Sequence, residues 1–157
     1  METLSPADAA VVRRIVAEHK ARPGPLLEVL HAIQSQLGFV PAMAVPVVAQ
    51  ELNLSRAEVH GVVTFYHDFR SEPAGRHVFK LCRAEACQAA GADALAARAE
   101  ARLGVALGHT TADGRVTLEP VYCLGLCSVS PSAMLDGRII ARLDAKKLDA
   151  LVAETDR

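Results

Sequence analysis

The chain has 157 residues, 51% of them hydrophobic and 22% charged, with 17 Lys+Arg against 18 Asp+Glu and a net charge of −1. That composition can build a core, which argues against disorder, and it lacks the basic surplus of a general nucleic-acid binder. No run approaches the ~20 apolar residues of a membrane span, so no direct membrane insertion is expected, and the acidic start METLSPADAAVVRRIV reads as neither a secretory signal nor a transit peptide.

Residues 1–70 read as helical. Ser5-Pro6-Ala7-Asp8 supplies a cap, a first-turn proline and a carboxylate three positions on. Val11/Ile15 and Val12/Val16 then recur four apart. A second helix follows Pro25, with Leu26, Leu30, Ile33 and Leu37 as its apolar stripe and Gly38 to end it. A third runs to about Leu52 with Pro46 in its first turn. Ser55-x-x-Glu58 is a capping box for a fourth, from about Arg56 to Phe65. Four short helices with short connections predict a small bundle over 1–73.

Ser71-Glu72-Pro73-Ala74-Gly75 breaks the pattern, and the pattern changes over 74–157. His77–Cys82 reads as a strand, Gln88–Leu103 as one alanine-rich helix closed by Gly104, and Val116–Tyr122 as a strand. Ser132–Leu135 and Arg138–Arg142 flank the Asp136-Gly137 hairpin turn, and Asp144 caps a last helix ending near Glu154. The order is β-α-β-β-β-α, so the fold class is α+β: a helical bundle followed by an α/β domain.

The four cysteines form two close pairs, Cys82 with Cys87 and Cys123 with Cys127, in the pattern C-x4-C-x35-C-x3-C. In a reducing cytoplasm, the expected setting, such pairs point to metal binding or chemistry rather than structural disulfides. Cys82 ends one strand and Cys87 lies just before the next helix, whereas Cys123 ends a later strand and Cys127 lies in the loop beyond. Both pairs are therefore expected at the C-terminal edge of one sheet, where α/β domains place their sites.

An all-cysteine [2Fe–2S] cluster suits this set: two pairs for two irons, with loops of four and three residues to wrap a binuclear core and Gly125 permitting close backbone approach. Structural zinc remains open, although zinc ribbons favour C-x2-C knuckles. A dithiol redox site lacks its C-x-x-C, and a [4Fe–4S] site lacks its C-x2-C-x2-C run. Two disulfides or inert buried thiols are the remaining reading. Arg83 directly follows a ligand candidate. A cation about 7 Å from a cluster is worth about 1–2.5 kcal/mol in favour of reduction, roughly 50–100 mV; an arginine pointing into water would do little.

With these cysteines and their flanks, the chain resembles the thioredoxin-like [2Fe–2S] subunits of NAD-linked redox complexes. That family includes the 24-kDa-type subunit of respiratory complex I, the gamma subunit of NAD-dependent formate dehydrogenase and the small diaphorase-module subunit of NAD-reducing hydrogenases. The resemblance rests on Gly61-Val-Val-Thr-Phe-Tyr66, the cysteine spacing and Cys123-Leu-Gly-Leu-Cys127. It implies a thioredoxin-like second domain and one [2Fe–2S] cluster on Cys82, Cys87, Cys123 and Cys127. It also implies helices that dock on a flavin- and NADH-binding iron–sulfur subunit, with a larger catalytic subunit in the same bacterial cytoplasmic complex. Cys82-Arg-Ala-Glu-Ala-Cys87-Gln and Thr64-Phe-Tyr-His-Asp-Phe-Arg70 look most like the formate dehydrogenase gamma branch. The implied function is single-electron transfer with no substrate chemistry on this chain; the complex I or hydrogenase subunit is the alternative.

Plainer readings apply elsewhere. Val62, Phe65 and Phe69 have core spacing, a partner or interdomain surface being the other reading of Gly61–Phe69, with Tyr66 and His67 better placed than Phe65 to reach a surface. Ala49–Val63 mimics a DNA-reading helix-turn-helix, yet offers only Arg56 and His60 as phosphate partners. The six histidines show no ligand spacing, no carboxylate pair suggests acid–base work, and GxGxxG and P-loop motifs are absent.

Overall fold

The computed structural model describes residues 5–156 and divides into two compact units meeting at Pro73 and Ala74.

The first unit holds α1 (Pro6–His19), α2 (Leu26–Leu37), α3 (Ala44–Leu52) and α4 (Arg56–Phe65). Ser5 caps α1 by accepting from the Asp8 amide, and the Ser55/Glu58 box is complete in both directions at α4. The chain leaves α2 at Gly38 with φ 84°. Pro46 lies in the first turn of α3, where its missing N–H is harmless. Val12, Ile15, Val16, Val29, Leu30, Ile33, Val48 and Val59 form the core, as the four-residue recurrences require.

The second unit is a five-stranded mixed sheet in the order β2-β3-β1-β4-β5: β1 (His77–Cys82), β2 (His109–Thr110), β3 (Val116–Val121), β4 (Ala133–Leu135) and β5 (Arg138–Ile140). β1 and β3 are parallel, and the other neighbours are antiparallel. Phe79, Leu81, Val116 and Leu118 pack with the helices α6 (Ala92–Leu103) and α7 (Ala145–Glu154) through Ala96, Ala99, Leu148 and Leu151. Asp144 caps α7 by accepting from the Lys147 amide.

Three expectations need correction. The helix expected over 88–103 is two: α5 (Glu85–Ala89) and α6, separated at Gly91, whose φ of 93° breaks the hydrogen-bond ladder that alanine propensity alone would extend. Cys87 therefore lies inside α5 rather than ahead of a helix. The expected order β-α-β-β-β-α lacks β2, whose two exposed residues carry no alternation to read. Phe65 is not core: it is 72% exposed, more than Tyr66 at 43%, because the buried face of α4 turns on Val59 while Phe69 is enclosed.

Candidate metal centre

The sheet brings the cysteine-bearing segments together. Cys82 is the last residue of β1 and stands opposite Val121 in the parallel register with β3. Its amide donates to the Ser132 carbonyl at 3.1 Å, and the Arg83 amide donates to the Val121 carbonyl at 2.8 Å, so the strand end is tied on both sides. The single turn of α5 then returns Cys87 to the same region, its amide donating to the Ala84 carbonyl at 3.0 Å. Cys82 and Cys87 are buried and cluster with Ala92, flanked by Ala84, Val121 and Leu124.

Cys123 does not end β3, which stops at Val121, but lies two residues beyond it, and Cys127 opens a short 3-10 turn; both are exposed, with their Sγ atoms 3.7 Å apart. Two thiolates bound at about 2.3 Å to one tetrahedral metal sit about 3.8 Å apart, whereas a disulfide holds sulfurs at about 2.05 Å. The observed spacing excludes a disulfide here and is compatible with two ligands on one ion. Cys123 has φ 111°, a conformation that costs a non-glycine residue about 1–3 kcal/mol and gathers at functional sites. Gly125 has φ 76°, and its amide donates to Cys123 Sγ at 3.3 Å. A Cβ at Gly125 would meet no protein atom within 4 Å, so within the protein the glycine supplies the left-handed backbone that aims this amide rather than close packing.

The sulfurs feel one another. Burial pushes the Cys82 thiol up, but the Ala84 amide, the Cys87 side chain, the Cys123 amide and the Ser132 hydroxyl together hold it below the ordinary thiol value. Cys127 is pushed up, first by its hydrogen bond with Cys123 and its charge, then by burial and by Cys87 and Cys82. Four thiolates converging in this way repel unless a cation offsets them, so the donor set fits a cationic metal–sulfide core. Among the described residues, no three His, Cys, Asp or Glu side chains surround a single point as one metal ion requires. The sulfurs are arranged as two pairs.

Arg83 is neither a bare cation at the site nor an arm in water. Its guanidinium pairs with Asp93 at 3.0 Å, which offsets much of the charge expected to act on a cluster. The sequence reading missed Ser132, whose buried hydroxyl lies 3.6 Å from Cys87 Sγ. A serine after Pro131 gives no spacing signal, because it reaches the site only through the pairing of β4 with β1, which sets the residue just ahead of β4 beside the end of β1. Tyr122, 75% exposed, flanks Cys123.

The thioredoxin-like [2Fe–2S] ferredoxin family model matches residues 12–156. The chain is 33% identical over 149 residues to a subunit of the NADH-quinone oxidoreductase of Escherichia coli, covering 95% of this chain and 90% of the relative. It is 40% identical over 110 residues to the corresponding NADH-quinone oxidoreductase subunit of Pseudomonas aeruginosa, covering 70% of this chain and 66% of that protein, just under two thirds of its length. It is 30% identical to a subunit of the NADP-reducing hydrogenase of Solidesulfovibrio fructosivorans, covering 85% of this chain and 78% of that one. The fold overlays a crystal structure of an NAD+-reducing [NiFe]-hydrogenase with TM-score 0.71 at 30% identity, covering 83% of this chain and 22% of that chain. The chain therefore belongs to the thioredoxin-like [2Fe–2S] ferredoxin family, and one [2Fe–2S] cluster is its cofactor.

Proposed function

We propose that Cys82, Cys87, Cys123 and Cys127 hold the [2Fe–2S] cluster and that the chain is an electron-transfer subunit of an NAD(P)-linked oxidoreductase complex in the reducing cytoplasm. The observation that carries this reading is the convergence of two cysteine pairs at one sheet edge, with Cys123 and Cys127 at 3.7 Å. When bound, the cluster accepts and returns one electron at a time. The buried pair anchors it to β1 and α5, and the exposed pair turns it toward a partner. The chain contributes position and a tuned environment.

The complex we favour is of the complex I or NAD(P)-linked hydrogenase kind, supported by the relatives and overlay above. The formate dehydrogenase reading now stands second; the loop Cys82-Arg-Ala-Glu-Ala-Cys87 still favours it. In either case the partner is a flavin- and NADH-binding subunit, with a larger catalytic subunit beyond it. The helical unit suits docking: Leu26, Leu27, Leu54, Val62, Phe65 and Tyr66 line an open, largely apolar groove of about 1140 Å³.

Anaerobically prepared protein is expected to be red-brown, to contain iron and acid-labile sulfide, and to give an EPR signal on reduction. Serine at all four positions is expected to abolish that signal. A colourless, zinc-containing protein, or a signal that survives the serines, overturns the ligand assignment. The chains that co-purify from the native host decide the complex.

A further inference from the structure

Ser132 is a buried polar side chain at the site that the ligand set does not use. It is 2% exposed, at the entry to β4 and beside the fully buried Ala133. Burying a hydroxyl is costly unless it is hydrogen-bonded. This hydroxyl lies 3.6 Å from Cys87 Sγ. The Ser132 carbonyl accepts from the Cys82 amide at 3.1 Å, so the backbone just ahead of β4 fixes the side chain against the buried pair.

Resting on the ligand assignment above, we propose that Ser132 is a positioning residue whose hydroxyl donates to the Cys87 thiolate and thereby raises the reduction potential of the cluster. A ligating cysteine is a thiolate and offers no proton, so in the hydroxyl–sulfur contact serine is the donor. Such a bond strengthens as negative charge on the sulfur grows, and the reduced site carries one more electron than the oxidised one. The bond therefore favours the reduced state. Among the described residues, the exposed pair receives the Gly125 amide on Cys123, where water competes. At the buried pair water does not compete, and the contribution of Ser132 is undiluted.

The test is potentiometry of the full-length, cluster-loaded chain. Ser132→Ala is expected to lose about threefold to tenfold in the equilibrium constant for reduction, the upper limit being about 59 mV more negative. It should also lose part of the deuterium shift of the Fe–S stretching bands in resonance Raman spectra, with iron content unchanged. Ser132→Thr, which keeps the hydroxyl, is expected to restore both relative to its isostere Ser132→Val. An unchanged potential in cluster-loaded Ser132→Ala overturns the proposal. If both Ala and Val variants lose the cluster while Thr keeps it, the requirement for a hydroxyl stands; if all three lose it, the residue is a packing element and the proposal falls. Wild-type protein without iron or sulfide would remove the ligand assignment first, a result distinct from a loaded cluster of unaltered potential.

Discussion

The two units close their interiors by different means. In the helical unit the core is built mainly from aliphatic side chains on four helices, joined by Val40 and Phe69 from the connecting segments. In the sheet unit the core of Phe79, Leu118 and Leu148 stops short of the strand ends, where Cys82, Cys87 and Ala92 form a separate small cluster. The contrast shows where each unit needs help. The helices lack nothing for their own interior, and their unmet surface is external, at Leu27, Phe65 and Tyr66. A sheet domain of ~80 residues is marginal by itself, and ligand bonds made only in the folded state stabilise it directly.

The largest expected effect would break that contrast if it failed. Removing the cluster with serine at Cys82 and Cys87 is expected to lower the melting temperature of the sheet unit by roughly 10 °C or more, equivalent to about 2 kcal/mol for a domain this size. Hydrogen exchange in α1–α4 should stay as in the loaded protein. Equal melting with and without the cluster contradicts the picture.

Next in size is the external surface of the helices. Phe65→Ala removes a ring that is 72% exposed, so stability should change by no more than about 0.5 kcal/mol. Affinity for the proposed flavin-bearing partner should fall about tenfold or more, as expected for an aromatic anchor, measurable by calorimetry or co-purification. An unaltered affinity would move the docking surface elsewhere.

Removal of the Arg83 guanidinium should shift the potential less than Ser132→Ala, since Asp93 already offsets its charge at 3.0 Å. A larger shift would mean that the ion pair opens when the cluster is in place.

The smallest effect is acid sensitivity. The Ser55 amide, then the Ser55 hydroxyl, hold the Glu58 carboxyl below its usual range. In the sheet unit the Thr111 hydroxyl, then the Arg115 amide, do the same for Asp113, and the Arg98 guanidinium for Asp149. A folded value below the unfolded one contributes stability that is fully present above the ordinary carboxylate range. That contribution is lost as pH falls through the depressed folded value. Denaturant midpoints between neutral and acid pH should decline in that direction in both units; flat midpoints would show that these bonds do not persist in solution.

Much of the fold was readable because local rules acted alone. Four-residue recurrences placed Val12, Ile15 and Val16 inside, the Ser55/Glu58 box opened α4, and Asp136-Gly137 turned the last hairpin. The sequence reading failed where a single backbone torsion or a distant contact overruled local preference. Gly91 at φ 93° split an alanine-rich stretch that propensity would have kept whole. Phe65 has core spacing, yet α4 presents it outward because Val59 and Phe69 already meet the bundle.

By itself, the order of residues determined that the thiols come as two pairs and that each pair follows a strand. Spacing along a chain is covalent, and strand periodicity is local. Only the tertiary structure decided that one pair is enclosed and the other exposed, that Asp93 neutralises Arg83, and that Ser132 reaches Cys87 from 45 residues away. Those outcomes depend on which strands become neighbours. Parallel pairing of β1 with β3 and antiparallel pairing with β4 is selected by the burial of whole faces, a sum over many side chains that no short window of sequence contains.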